Sequence, residues 1–288
     1  MNLFSKNEAE KAIYLEYYGD KNKNKRPDDN EIEIKNLKGD GDFRSPECIE
    51  LLKQSDIVVT NPPFSLFRDY VSQLMEYKKK FLIIGSINAI SYKETFRLMK
   101  ENKMWLGASI SSGDREFEVP KTYPLRAAGS RIDEEGKKYI RVKGVRWYTN
   151  LLNSKRNEEL ILYKKFSRKV NLKYDNYDAV NVDITKDIPL DYDGVMGVPL
   201  TFMDKYNPNQ FEILGITSGR DEFEARPSKK YVNAIQINED GSTTNGSKAN
   251  TRATLRWIKK PKGTVYTAKN IKGYLQILYA RILIRKKR

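Results

Sequence analysis

Asn61-Pro62-Pro63-Phe64 is the segment of this sequence whose residue types and order suit a demanding chemical task. An amine carried on an aromatic ring, such as that of adenine, is a poor nucleophile because its lone pair is delocalised into the ring. Two hydrogen-bond acceptors aimed at its protons polarise the nitrogen and hold its lone pair toward an electrophile. The side-chain carbonyl of Asn61 supplies one acceptor and the backbone carbonyl of Pro62 the other. Pro62 and Pro63 fix the backbone so that this carbonyl projects rigidly, and Phe64 offers a face on which a flat ring can stack. Such chemistry needs neither a histidine shuttle nor a metal. The 288 residues contain no histidine, which excludes Ser-His-Asp and Cys-His hydrolases and most zinc sites. Cys48 is the only cysteine, so no intrachain disulfide forms, and it is expected as a buried small hydrophobe.

The elements around this segment must present it. Asp56-Ile57-Val58-Val59-Thr60 reads as a strand buried on both faces, which Asn61 ends. Leu66, Phe67, Tyr70, Val71, Leu74 and Met75 then recur at helical spacing. Phe81–Gly85 reads as a second buried strand, Ser91 as the cap of a helix through Phe96, Leu98 and Met99, and Met104–Gly107 as a third strand. This alternation predicts an α/β fold, an open parallel sheet with helices on both faces, in which ligands sit beyond the carboxyl ends of strands. Upstream, 12–18 and 31–37 read as strands flanking a polar loop, and Ser45 caps a short helix that starts at Pro46. Downstream, Val142–Asn150 and Leu160–Tyr163 are expected to pair. After residue 165 the chain reads as loop-rich, with Tyr-Asp pairs at 174, 177 and 192 and a mobile Gly/Ser/Thr/Asn stretch over 239–251.

The net charge of +15 is unevenly spread. No acidic residue follows Asp240, whereas thirteen cations do, Arg252, Arg256, Lys259 and Lys260 among them. Interleaved with Trp257, Tyr266, Tyr274 and Tyr279, they point to a nucleic-acid partner rather than a solubilising tail. No apolar run approaches the roughly 20 residues of a membrane span, and the first residues lack the apolar stretch of a signal peptide. A cytoplasmic protein with no membrane partner is expected.

Asp56–Phe64 resembles the catalytic motif of amino-methyltransferases that use S-adenosylmethionine. The closer resemblance is to EcoRI-type adenine-specific DNA methyltransferases. It is carried by Leu37–Ser45, Asn61–Tyr70, Lys80–Gly85, Gly113–Phe117, Val142–Trp147 and Asp193–Pro199, and spans roughly residues 3–215. The resemblance implies a Rossmann-like S-adenosylmethionine-dependent methyltransferase sheet, with Asn61 and Pro62 on the amine of an adenine flipped out of double-stranded DNA and Phe64 stacked on it. It implies that Asp42 accepts from the ring amine of the cofactor while Phe43 stacks on the same ring. It implies a place in restriction–modification, where methylation protects host DNA from a partner nuclease. Residues 1–165 are then the catalytic region, and 166–288 a mixed, loop-rich region that recognises DNA.

One part of the family pattern is missing. No Gly-rich or small-and-acidic loop of the kind that grips the methionine end of the cofactor stands between a strand and a helix ahead of Asp42. The chain is therefore expected to be a member that starts late, a truncated product or half of a split enzyme with a separate N-terminal chain as partner. A non-catalytic DNA-binding remnant and an RNA or protein-glutamine methyltransferase are the alternative readings. Asp20, Asn22, Asn24, Asp28 and Glu31 have the spacing of a calcium loop, but Lys25 stands where glycine is needed and the surrounding cations favour a plain hairpin loop. Arg115 suits either a phosphate or base edge, or a structural pair with Glu116 or Glu118. Trp147 is expected in the core.

Overall fold

The computed structural model describes residues 12–108, 115–125, 129–218 and 225–287. The chain divides into two compact units, Met1–Val58 with Gln73–Lys79, and Val59–Ser72 with Lys80–Arg288.

In the first unit, β1 (Ile13–Tyr17) and β2 (Ile32–Asn36) form an antiparallel hairpin with Leu15 opposite Ile34. The loop between them is closed by its own carboxylates. Glu31 is buried and accepts from the Lys21 amide at 2.6 Å, while Asp20 accepts from the amides of Asn24 and Lys25 at 3.1 and 2.8 Å. The calcium-like spacing thus serves a hairpin loop. Helix α1 (Pro46–Gln54) starts as predicted, with the Ser45 hydroxyl accepting from the Cys48 amide at 3.2 Å. Cys48 is half-buried on this helix, not buried. The division between units falls within β3 (Ile57–Thr60) and within α2 (Phe67–Glu76). The expectation that β3 is buried on both faces does not hold. Ile57 and Val59 are 48% and 64% exposed, because side chains alternate along a strand and only one face packs.

The second unit continues with β4 (Lys80–Ser86), α3 (Lys93–Lys100), β5 (Trp105–Leu106), β6 (Arg115–Val119), β7 (Arg131–Ile132), β8 (Lys138–Val142) and β9 (Val145–Thr149). Four strands make one sheet in the order β3-β4-β9-β5. The fold is mixed α/β, but the purely parallel arrangement is corrected: β9 runs antiparallel to both β4 and β5 and separates them. Side-chain bonds at the end of β9 and from β5 fasten it in this place. The Thr149 hydroxyl donates to the Phe81 carbonyl at 2.6 Å, the Asn150 carbonyl accepts from the Phe81 amide at 2.9 Å, and the Trp105 indole donates to the Leu151 carbonyl at 3.0 Å. Two further local readings change. Ser91 donates to the Asn88 carbonyl inside a 3-10 turn, and α3 begins after Tyr92. Leu160–Tyr163 is not a strand. Its first residue has both backbone groups held by the Gln210 side chain, at 2.8 and 2.7 Å. Strands β6, β8 and β7 form a separate antiparallel sheet in that order.

The region expected to be loop-rich builds two more sheets from short strands. These are β10 (Val180–Asn181), β11 (Met196–Pro199), β12 (Phe211–Ile216), β13 (Ile235–Ile237), β14 (Thr243–Asn245), β15 (Thr254–Trp257), β16 (Val265–Thr267), β17 (Tyr274–Ile277) and β18 (Arg281–Lys286). Their orders are β10-β11-β18-β12 and β14-β13-β16-β17-β15. Two tyrosines of the Tyr-Asp pairs point inward: Tyr174 and Tyr177 are buried with Ala179, Ala253, Leu255 and Leu283. The stretch 239–251, expected to be a mobile loop, contains β14 and a 3-10 turn over Ser247–Asn250 with Ala249 fully buried. Composition misleads there because Gly246 is packed against the backbone of Ala234 and Ile235, where a side chain would not fit.

Candidate active site and nucleic-acid surfaces

Asn61 follows the last residue of β3 and is exposed, Pro62 is buried, and Pro63 turns the chain into a 3-10 turn over Phe64–Leu66. The turn is closed by the Leu66 amide donating to the Pro63 carbonyl at 2.9 Å. Phe67 then starts α2 with its ring 1% exposed, edge-on to Tyr148 at 5.0 Å between centroids. Gly85 on β4 makes room for that ring: a Cβ there would stand 2.5 Å from Phe67 and 2.9 Å from Tyr148. The motif is therefore pinned from behind by a packed aromatic pair. Its polar edge is open. Among the described residues, neither the Asn61 side chain nor the Pro62 carbonyl has a hydrogen-bond partner. Phe64 beside them is 44% exposed. Two unpartnered acceptors next to an accessible ring can receive a flat molecule bearing an amine.

Asp42 and Phe43 lie in the first unit, in the turn before α1. Arg44 holds the Asp42 carboxylate with both ends of its guanidinium, at 2.9 and 2.7 Å, and its own amide adds a third bond at 2.8 Å. The side-chain and backbone bonds from Arg44 push the Asp42 pKa down to about 2. The carboxylate is thus an ionised acceptor at any ordinary pH. Phe43 is half-buried, its carbonyl accepts from the Gln73 amide group at 3.0 Å, and the Arg44 guanidinium lies 5.3 Å from the centre of its ring. An acceptor and an aromatic on adjacent residues fit the adenine end of a nucleoside cofactor.

The cations singled out in the sequence fall on two sheets. Arg115 begins β6 and is exposed, while the neighbouring Glu116 is paired with Arg131; Gly113 and Asp114 lie outside the described residues. Arg252, Arg256, Lys259 and Lys260 belong to β15 and its flanks in the five-stranded sheet. Lys259 and Lys260 are exposed on the connection that leaves β15. Arg256 is also a structural residue, since its guanidinium sits 3.3 Å from Asp175. Trp147 is half-buried, its Cβ side packed over Gly107.

Comparison with known proteins places the chain in a family. The family model described as adenine-specific methyltransferase EcoRI matches residues 1–287. The chain belongs to this family. It is 52% identical to the type II methyltransferase M.EcoRI of Escherichia coli over 222 residues, 76% of this chain and 68% of that protein. It is 43% identical to the type II methyltransferase M.MpnI of Mycoplasma pneumoniae over 194 residues, and 42% identical to M.MgeORF184P of Mycoplasma genitalium over 191 residues. Each of these two matches covers 65% of this chain and 60% of the relative. No solved structure matches. By family the chain is a DNA methyltransferase, and the comparisons lend no support to a separate N-terminal chain.

Two polar clusters of this EcoRI-family chain escaped the sequence reading. Arg146 on β9 makes a bidentate pair with Asp204, both side chains almost fully buried. Asp175 is a hub: it accepts from Lys229 and from the Tyr231 hydroxyl at 2.9 Å each, and Tyr231 in turn meets Thr254 at 2.6 Å. Burial alone would raise the Asp175 pKa, but the bonds from Lys229 and Tyr231 and the charge of Arg256 outweigh it and hold the carboxyl low. The sequence signal was the Tyr-Asp pair at 174–175, whose partners lie far along the chain.

Proposed function

We propose that this chain transfers a methyl group from S-adenosylmethionine to the exocyclic amine of an adenine flipped out of duplex DNA, as the modification half of a restriction–modification pair in the cytoplasm. The observation that carries the reading is the unpartnered acceptor pair of Asn61 and Pro62 beside the accessible ring of Phe64. The Asn61 side-chain carbonyl and the Pro62 carbonyl each accept a hydrogen bond from one amine N–H, which directs the nitrogen lone pair outward. Phe64 stacks on the extruded base and replaces the stacking lost on leaving the duplex. Pro62 and Pro63 keep the acceptors from rotating away, so the alignment is present before the base arrives. The cofactor, when bound, would supply an electrophilic methyl on sulfur for the amine nitrogen that Asn61 and Pro62 orient, and the methylated amine would release its extra proton to solvent. Asp42, held ionised, and Phe43 would hold the cofactor's adenine, the carboxylate accepting from its ring amine and the aromatic ring stacking on it.

Residues 1–165 carry the catalytic motifs in this reading, and 166–288 hold DNA. Arg115, Arg252, Lys259 and Lys260 contact phosphates, and Arg256 divides its charge between DNA and Asp175. Transfer of labelled methyl from S-adenosylmethionine to DNA, RNA or protein by the purified chain tests the proposal. Label in adenine of duplex DNA, lost in Asn61→Ala, is the expected result. Label in RNA or in protein glutamine, or undiminished transfer by Asn61→Ala, overturns it.

A further inference from the structure

A depression of about 310 Å³ lies on the five-stranded sheet, lined by Lys248, Arg252, Tyr266, Ile277, Leu278 and Tyr279. Its cations are presented by a rigid turn. The Arg252 amide donates to the Lys248 carbonyl at 3.3 Å, so the two residues are one helical turn apart. The fully buried Asn176 reaches across to this turn and donates to the carbonyls of Ala249 and Arg252 at 3.2 and 2.8 Å. Asn250 is bound at both ends of its amide to the backbone of Tyr231, at 2.6 and 3.0 Å. On the facing side, the Leu278 amide donates to the Ala253 carbonyl at 2.9 Å, which sets Tyr279 beside Arg252 with its ring 91% exposed. No ion pair engages Lys248 or Arg252 among the described residues, and no acidic residue follows Asp240 in the sequence. A large ring left in water next to two unneutralised cations on a braced frame has no evident folding role.

We infer that Lys248, Arg252 and Tyr279 form a nucleotide subsite on this sheet, in which the two cations hold a phosphodiester of the DNA and the Tyr279 ring packs on the adjoining sugar or base. The inference rests on the DNA methyltransferase reading and assigns a contact that the catalytic motif does not provide. Two phosphate contacts contribute about 0.9 each to the salt slope of binding, whereas a stacked ring contributes affinity without salt dependence.

The test is fluorescence anisotropy of the full chain with an end-labelled duplex, followed through a salt titration. A Lys248→Gln/Arg252→Gln double variant is expected to lower the slope of log K against log salt by about two. Tyr279→Ala is expected to weaken binding about tenfold with the slope unchanged, while Tyr279→Phe retains the affinity. All three positions are on the surface or its margin, and circular dichroism of each variant checks the fold. If the parent chain binds but the double variant keeps the parent slope, or Tyr279→Ala keeps the parent affinity, the subsite is overturned and the methyltransferase reading stands. If the parent chain fails to bind duplex DNA at any salt concentration, both fall together.

Discussion

Arg146 and Asp204 form a bidentate ion pair at 2.7 and 2.9 Å, with side chains only 5% and 6% exposed. The guanidinium is completed by a bond to the Val145 carbonyl at 2.9 Å. Arg146 lies opposite Gly85 on β4, and Asp204 lies in the 3-10 turn over Leu200–Lys205. The pair therefore ties the sheet that carries Asn61 to a segment that the sequence would assign to the recognition region. Removing one partner strands a buried charge. Arg146→Ala is expected to lower stability by about 3–5 kcal/mol, measured by urea unfolding. Replacing both, as Arg146→Met with Asp204→Leu, should recover most of the loss, because the desolvation of the two charges no longer has to be offset.

Asn61→Ala removes one of two acceptors and leaves the stacking face in place. Single-turnover methyl transfer is expected to fall by about 10²–10³-fold or more, while cofactor affinity stays near the parent value. Asn61→Asp keeps an acceptor at the same place but brings a negative charge, so it should retain more activity than Asn61→Ala. Equal rates for the two variants would show that the side-chain acceptor is not what orients the amine.

The pH dependence of the proposed cofactor site follows from Asp42. Its folded pKa, about 2, is below that of an unperturbed carboxyl because of the bonds from Arg44. A depressed carboxylate pKa stabilises the folded turn fully above about pH 5, and this contribution is lost as the pH falls toward the folded value. Arg44→Ala should return the Asp42 pKa to the ordinary range near about 4, read by carbon chemical shifts of a labelled carboxyl. The acid limb of S-adenosylmethionine binding should move up with it. An unchanged Asp42 titration in Arg44→Ala would show that another group holds the carboxylate.

Local patterns were legible where the physics is local. Ser45-Pro46 announced the start of α1, and the spacing from Leu66 to Met75 announced α2, because capping and amphipathic periodicity involve near neighbours. The motif Asn61–Phe64 could be found for the same reason: its acceptors and its ring are adjacent in sequence. The insertion of β9 between β4 and β5 was not legible, since it depends on Thr149 and Asn150 reaching the backbone of Phe81. Arg256 read as a free cation because Asp175, which meets it, is remote in sequence. The short strands β13 to β17 hid behind polar composition, being held by side chains such as Asn176 and Asn250 whose partners only the fold brings together.

Gly85 offers a test of how the motif is positioned. It lies on β4 directly behind Phe67, and an alanine methyl there would stand 2.5 Å from the Phe67 ring and 2.9 Å from Tyr148. Neither ring can yield easily, because both are fully buried and packed edge to face. Overpacking of this kind costs about 1–3 kcal/mol, so Gly85→Ala should fold but with reduced stability. The displaced Phe67 carries the first turn of α2, and the 3-10 turn from Phe64 to Leu66 is joined to it through the Phe67 amide, which donates to the Phe64 carbonyl. A shift of about 1 Å in reacting groups costs on the order of 10²-fold in rate. Gly85→Ala is therefore expected to lower the single-turnover rate far more than DNA affinity, and Phe67→Leu in the same chain, by removing ring atoms at the point of conflict, should restore part of it. A Gly85→Ala chain with the parent rate would show that the acceptors of Asn61 and Pro62 are positioned without the support of the Phe67 ring.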